Sequence, residues 1–189
     1  MNIVNVNNLD RRTDRLYSIC QQSKWQGFAI KFWEGIEETP VHKGVCMAHK
    51  RIVRHAKERG LDRVIIAEDD LIMSGDGSWD YYIQQMPPVF DLYMGMIYTG
   101  EVVNNRIVNG FSGTTLYTVH ENFYDKFLEV PDERHIDRAL GRDCQKNNYI
   151  VPDQYVCYQS GGYSDNGKQI CYYDEMMRGK KFYGREMIP

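Results

Sequence analysis

Hydrophobic and polar positions follow two rhythms along the first seventy residues. Ile3-Val4-Asn5-Val6 has the two-residue alternation of a strand, and Leu16, Ile19 and Cys20 then recur at helical spacing in a segment that Asp10 or Thr13 can cap. Phe28, Ile30 and Phe32 alternate with Ala29, Lys31 and Trp33 as a second strand. Over 44–60, Val45, Ala48, Ile52, Val53 and Ala56 form one stripe. Lys50, Arg51, Arg54, Lys57, Glu58 and Arg59 lie elsewhere, which predicts an amphipathic helix stopped by Gly60. The unbroken apolar run Val64-Ile65-Ile66-Ala67 follows as a buried strand. This βαβαβ order, closed by right-handed crossovers, predicts an α/β domain built on a mostly parallel sheet flanked by helices.

The second half is less regular. A short helix is expected over 78–86, ended by Pro87-Pro88, and a strand over 90–96. Residues 100–113 read as a loop or hairpin with Asn104-Asn105 at its tip, 114–119 as a strand, and 120–130 as a helix broken by Pro131. Another helix is expected over 135–141. Beyond Tyr149 the chain is rich in Tyr, Gly, Lys and Met, and predicts one last short strand and then loops.

At 189 residues the chain is long enough for one sizeable core, so 1–189 is expected to be a single domain. With 26 acidic and 23 basic residues it carries no charge excess that would favour nucleic acid or an anionic membrane. The five cysteines are scattered and show no CxxC spacing, as in a protein with reduced thiols. No apolar run is long enough to span a membrane, and the amino terminus lacks a basic stretch followed by an apolar one. The expectation is a cytoplasmic protein with no integral membrane segment.

The chemistry is expected where Val64-Ile65-Ile66-Ala67 runs into Glu68-Asp69-Asp70 and then into Leu71-Ile72. Adjacent carboxylates resist burial unless a cation neutralises them. Oxygen ligands favour Mn²⁺ or Mg²⁺, completed by water and substrate phosphates. An acidic turn facing solvent is the alternative. In an open parallel sheet, the loop after the first strand should meet this triplet at the carboxyl edge. That loop, Asn8-Leu9-Asp10-Arg11-Arg12-Thr13-Asp14-Arg15, places three arginines at a helix start, where an anion such as a diphosphate would relieve their conflict with the dipole. Asp10 and Asp14 could do so without a ligand. His49 borders the apolar stripe and reads as a packing residue, and His42, His120 and His135 have no ligand-like spacing. Trp33, Trp79, Tyr98 and Tyr117 could stack on a sugar or base, or belong to the core.

The ordered blocks Asn8-Leu9-Asp10-Arg11 with Arg15, Gly44-Val45-Cys46-Met47-Ala48-His49, and Ile66-Ala67-Glu68-Asp69-Asp70 resemble glycosyltransferase family 25, the lipooligosaccharide and procollagen galactosyltransferases. Gly113-Thr114-Thr115-Leu116-Tyr117-Thr118-Val119, His135-Ile136-Asp137-Arg138-Ala139-Leu140, and Gln159 with Ser164-Asp165 extend the resemblance to Asp165. Ala48 stands where the family usually has Ser, and the chain is shorter than typical members. The resemblance implies a GT-A-like, Rossmann-like fold, with 1–100 as the nucleotide-sugar and metal-binding half and 101–189 as the acceptor side. It implies inverting transfer of a hexose, galactose or glucose, from a UDP-sugar to a carbohydrate acceptor in lipopolysaccharide or surface-polysaccharide synthesis. Asp69 and Asp70 would hold the metal. Leu9, Asp10, Arg11, Arg15, Glu68, Ser164 and Asp165 would bind the donor, and Asp137 would be the base that takes the acceptor's proton. A silent nucleotide-sugar-binding domain and a nucleotidyltransferase are the alternatives. The latter would want a Gly-rich phosphate loop after the first strand, and none is present.

Overall fold

The computed structural model describes residues 3–104 and 106–185. The first half follows the periodicity. Strand β1 (Ile3–Asn8), helix α1 (Thr13–Gln26), β2 (Ala29–Glu34), α2 (Val41–Glu58) and β3 (Arg63–Glu68) form two β-α-β units, with β1 central and parallel to both other strands. Helix α2 begins before Gly44, at Pro40-Val41, because proline suits a helix start. Gly44 sits where the loop after β2 crosses the helix, and a Cβ there would stand 2.1 Å from the Ile36 carbonyl. At α1 the N-cap position falls to Arg12 and carries no side-chain cap, so neither Asp10 nor Thr13 serves as one.

The chain continues through β4 (Leu71–Met73), α3 (Ser78–Gln85), β5 (Leu92–Met94), β6 (Thr99–Val103), β7 (Ile107–Ser112) and β8 (Leu116–His120). A 3-10 turn, Glu121–Phe123, runs into α4 (Tyr124–Leu128), and α5 (Ile136–Arg142) follows with a second 3-10 turn, Cys144–Lys146, behind it. Last come β9 (Tyr149–Ile150), β10 (Cys157–Gln159), β11 (Gly162–Ser164), β12 (Gln169–Cys171) and α6 (Asp174–Met177). The expected hairpin exists as β6 and β7. Asn104 takes a positive φ at its tip, and Asn105 lies outside the described residues.

The main sheet has eight strands in the order β2-β1-β3-β8-β5-β9-β7-β6. It is mixed: β8 pairs antiparallel with both β3 and β5, and β7 antiparallel with β9 and β6. Strands β1, β2, β3, β5, β6 and β9 therefore point one way, with β7 and β8 inserted against them. The inversion has a physical reason. A parallel neighbour needs a crossover of a dozen or more residues, whereas a hairpin reverses direction within a few, and 99–112 is a hairpin. The carboxyl ends of β1 and β3 still share an edge, so the parallel part places the acidic triplet as expected.

The sheet is buried on both faces. Ile52, Val53 and Ala56 of α2 and Phe127 of α4 pack on Val64, Ile66, Tyr117 and Val119. Ile19 of α1 and Trp79 and Tyr82 of α3 belong to the opposite layer with Val4, Val6, Ile65 and Ala67. Each such side chain removed from water contributes about 1.5–3 kcal/mol, so the β1 and β3 backbones that carry the acidic edge are anchored by packing on both faces. No helix among the described residues is long and apolar enough to cross a membrane.

Candidate functional site

A cavity of about 380 Å³ opens at the carboxyl ends of β1 and β3. Its floor is Asn7, Asn8 and Leu9 from β1 and its exit, with Glu68, Asp69 and Asp70 from β3. The loop after β2, the first turns of α2 and the start of α5 form one side, and Gln159 with Ser164, Asp165 and Asn166 the other.

All three acidic side chains turn inward and are held by donors. Glu68 accepts from the Thr114 hydroxyl at 2.7 Å and from the Gln159 amide at 3.2 Å. The same Gln159 nitrogen donates to Asp70 Oδ2 at 2.7 Å. Arg15 lies 2.8 Å from Asp69 and 3.0 Å from Asp70, and Asn8 donates to Asp69 at 2.9 Å. Gln159 reaches the triplet because β10 pairs antiparallel with β4, the strand that leaves it. Burial, with Asp70 next to it, pushes the Glu68 carboxyl up. Burial also raises Asp70, against the pull of Arg15. An acidic turn facing solvent is not what forms: Asp69 and Asp70 are 7 % and 3 % exposed.

Asp137 faces the triplet from the first turn of α5, and its two oxygens accept from the backbone N–H groups of Gly113 at 3.0 Å and Arg138 at 2.8 Å. Leu9 lies against Gly35 at the cavity wall. Arg11 and Arg12 turn outward from the triplet and share the carboxylate of Asp165, at 2.9 and 2.6 Å. Although burial opposes it, those two hydrogen bonds hold Asp165 below the usual carboxylate range. Arg12 and Arg15 also donate to the Tyr163 carbonyl at 3.2 and 3.1 Å, tying the β11–β12 ribbon to the start of α1. Asp10 and Arg11 are the exceptions among the expected site residues: both are exposed and stand outside the lining, because the turn after β1 points them away from the cavity.

Several lining residues carried little signal of their own. Thr114 and Asn8 fell within short motifs, but nothing marked them as partners of the carboxylates. His42 and His135, far apart in sequence, stack at 4.1 Å on the cavity wall. His49 is buried, its Nδ1 lies 2.6 Å from the Tyr117 hydroxyl, and burial lowers its pKa to about 4. Of the aromatic candidates, Tyr98 lines the cavity, whereas Trp79 and Tyr117 belong to the core. Among the described residues, two polar groups on the cavity floor are buried without a hydrogen-bond partner: Oδ1 of Asp70, and both amide atoms of Asn7.

Among the described residues no group of three or more His, Cys, Asp or Glu is arranged to hold a metal ion. A hard cation would rest on two carboxylates, as Mg²⁺ commonly does when phosphates and water complete its shell. The buried, unpartnered Oδ1 of Asp70 beside Asp69 fits that donor set.

No family model matches the chain, and no curated protein matches it. Among solved structures it is similar to A197 from STIV, at 11 % identity and a TM-score of 0.54, over 90 % of this chain and 93 % of that one. A glycosyltransferase involved in the glycosylation of the major capsid of PBCV-1 aligns at 11 % identity and 0.46, over 79 % and 80 %. HddC from Yersinia pseudotuberculosis aligns at 10 % and 0.43, over 80 % and 69 %. The likeness to A197 is one of fold alone.

Proposed function

We propose that this protein is a GT-A-like glycosyltransferase, related to family 25, that transfers a hexose with inversion from a UDP-sugar to a carbohydrate acceptor of a surface polysaccharide. The observation that carries this reading is the inward-facing Asp69-Asp70 pair, with Arg15 on one side and Asp137 across the same cavity. In this reading Asp70 and Asp69 hold Mn²⁺ or Mg²⁺, which when bound supplies positive charge against the diphosphate leaving group. Arg15, paired with Asp69 and Asp70, adds fixed positive charge beside the place the phosphates would take, and its guanidinium fork suits phosphate oxygens, while Arg11 and Arg12 hold Asp165. Leu9, Ser164 and Asp165 enclose the donor. Glu68, held by Thr114 and Gln159, is placed to accept from a ribose or sugar hydroxyl. Asp137, fixed by two backbone N–H groups, takes the proton of the attacking hydroxyl.

Titration of UDP in a calorimeter, with and without Mn²⁺, tests donor binding, and UDP release from a panel of UDP-sugars tests turnover. Asp70→Asn is expected to abolish the Mn²⁺-dependent part of UDP binding while leaving the unfolding midpoint near that of the wild type. Asp137→Asn should leave UDP affinity in place and lower turnover by about 10²-fold or more. Absence of UDP binding under both conditions would overturn the reading. Binding without turnover on any donor would point to the silent binding domain.

A further inference from the structure

Asn7 is the penultimate residue of β1, and its side chain has no structural employment. Val4 and Val6 pack in the layer that contains α1, so alternation turns Asn5 and Asn7 toward α2. Asn5 is satisfied there, donating to the Ile65 carbonyl at 3.0 Å and accepting from the Trp33 indole at 2.9 Å. Asn7 is not: its Nδ2 and Oδ1 are both buried and neither has a partner. Buried polar groups in native proteins are almost always paired, and leaving an amide unpaired is destabilising, so an orphaned amide on a cavity floor points to a guest.

The surroundings narrow the guest. Gly35, Ile36, Val45 and Ala48 line the cavity on the side of β2 and α2, with the imidazoles of His42 and His49 beside them and no carboxylate. The carboxylates begin one strand further on, where Glu68 is the register partner of Asn7 on β3. A recess walled by small and apolar side chains and imidazoles, with an unpaired amide at its floor, suits a flat ring that presents a donor and an acceptor side by side. A sugar ring, with hydroxyls all round, suits the carboxylate side better. A carboxamide offers both halves of the complementary pair, Oδ1 to accept and Nδ2 to donate.

We infer that Asn7 is the residue that reads the nucleobase, its Oδ1 accepting from the N3–H of uracil and its Nδ2 donating to an adjacent carbonyl of the base. This rests on the proposal that the donor is a uridine nucleotide, and it adds a specificity-determining contact that no motif contained.

The test uses three probes on the full chain: UDP, UDP methylated at N3 of uracil, and inorganic pyrophosphate. In the wild type, UDP should bind on the order of tenfold more tightly than the methylated form, because methylation removes the proton that Oδ1 would accept. Asn7→Leu should bring the two to within about twofold of each other, while pyrophosphate affinity stays as in the wild type. Since leucine removes an unsatisfied buried amide, that variant should also unfold at a urea concentration no lower than the wild type. A methyl discrimination that persists in Asn7→Leu overturns the assignment and leaves the donor proposal standing. So does a large loss of stability, which would show Asn7 to be held by the fold or its water. Pyrophosphate binding with no gain from the uridine moiety overturns base reading and keeps only the anion site. No binding of any probe overturns the donor proposal along with this one.

Discussion

His49 shows how a single residue can be legible as to place and illegible as to state. Its position on the apolar edge of α2 marks it as a packing residue, and it is one, stacked on Tyr117 and fully buried. What spacing could not show is that burial keeps the ring neutral, with a pKa of about 4 against an ordinary 6.5. Between those values the unfolded chain binds more protons than the folded one, so this contribution makes stability fall as the pH drops. The loss is complete below about pH 4. Urea midpoints of wild type and His49→Phe, taken at pH 7 and pH 4, should show the wild type losing about 3 kcal/mol more than the variant. Equal losses would mean that the imidazole is not held neutral. The same distinction separates Asp10 from Arg15. Both sit in one motif, yet the turn after β1 sends Asp10 to solvent and the first turn of α1 sends Arg15 to the carboxylates, and composition does not encode direction.

Elements with a long, one-sided pattern were readable, and the shortest strands of the last third were not. Helix α2 carries several turns of apolar stripe and appears where expected apart from its first turn. Strand β5 lies within the expected 90–96, but β9 and β10 have two or three residues each, too few for a period to register, and they take their partners from tertiary pairing. The expected helix over 120–130 shortens to a 3-10 turn and α4, because His120 ends β8 and its Nδ1 accepts from the Asn122 N–H. Gly44 shows what the α2 pattern concealed: a glycine in a helix usually weakens it, and here it lets the 36–38 loop cross at contact distance. Gly44→Ala should cost about 2–3 kcal/mol by urea denaturation, since the neighbour is backbone and has nowhere to yield. As that loop also walls the cavity, UDP affinity should fall in the same variant. A stable Gly44→Ala with unchanged affinity would show the crossing to be loose.

At the scale of the whole molecule, the acidic edge depends on chain far from it in sequence. The strand directions set by the first half put Glu68, Asp69 and Asp70 at the rim, where Asn8 and Arg15 hold Asp69, but the donors on Glu68 and the amide on Asp70 come from β10 and from the approach to β8. That long-range pairing is why the triplet could be read from the sequence and its environment could not. The β4–β10 ribbon carrying Gln159 is itself braced by the tail. Tyr155 donates to the Lys181 carbonyl at 2.9 Å, Tyr183 donates back to Tyr155 at 2.8 Å, and the Ser74 hydroxyl reaches the Tyr183 carbonyl at 2.7 Å. Phe182, 3 % exposed, packs between these bonds against Tyr155 and Tyr158. Phe182→Ala should therefore act twice. It removes a buried ring, at a cost of about 3 kcal/mol, and it loosens the ribbon that presents Gln159 to both Glu68 and Asp70. If the brace is real, UDP affinity measured well below the unfolding temperature falls together with the midpoint. A variant that loses stability but binds UDP as the wild type does would confine the tail to packing and leave Gln159 positioned by β4 alone.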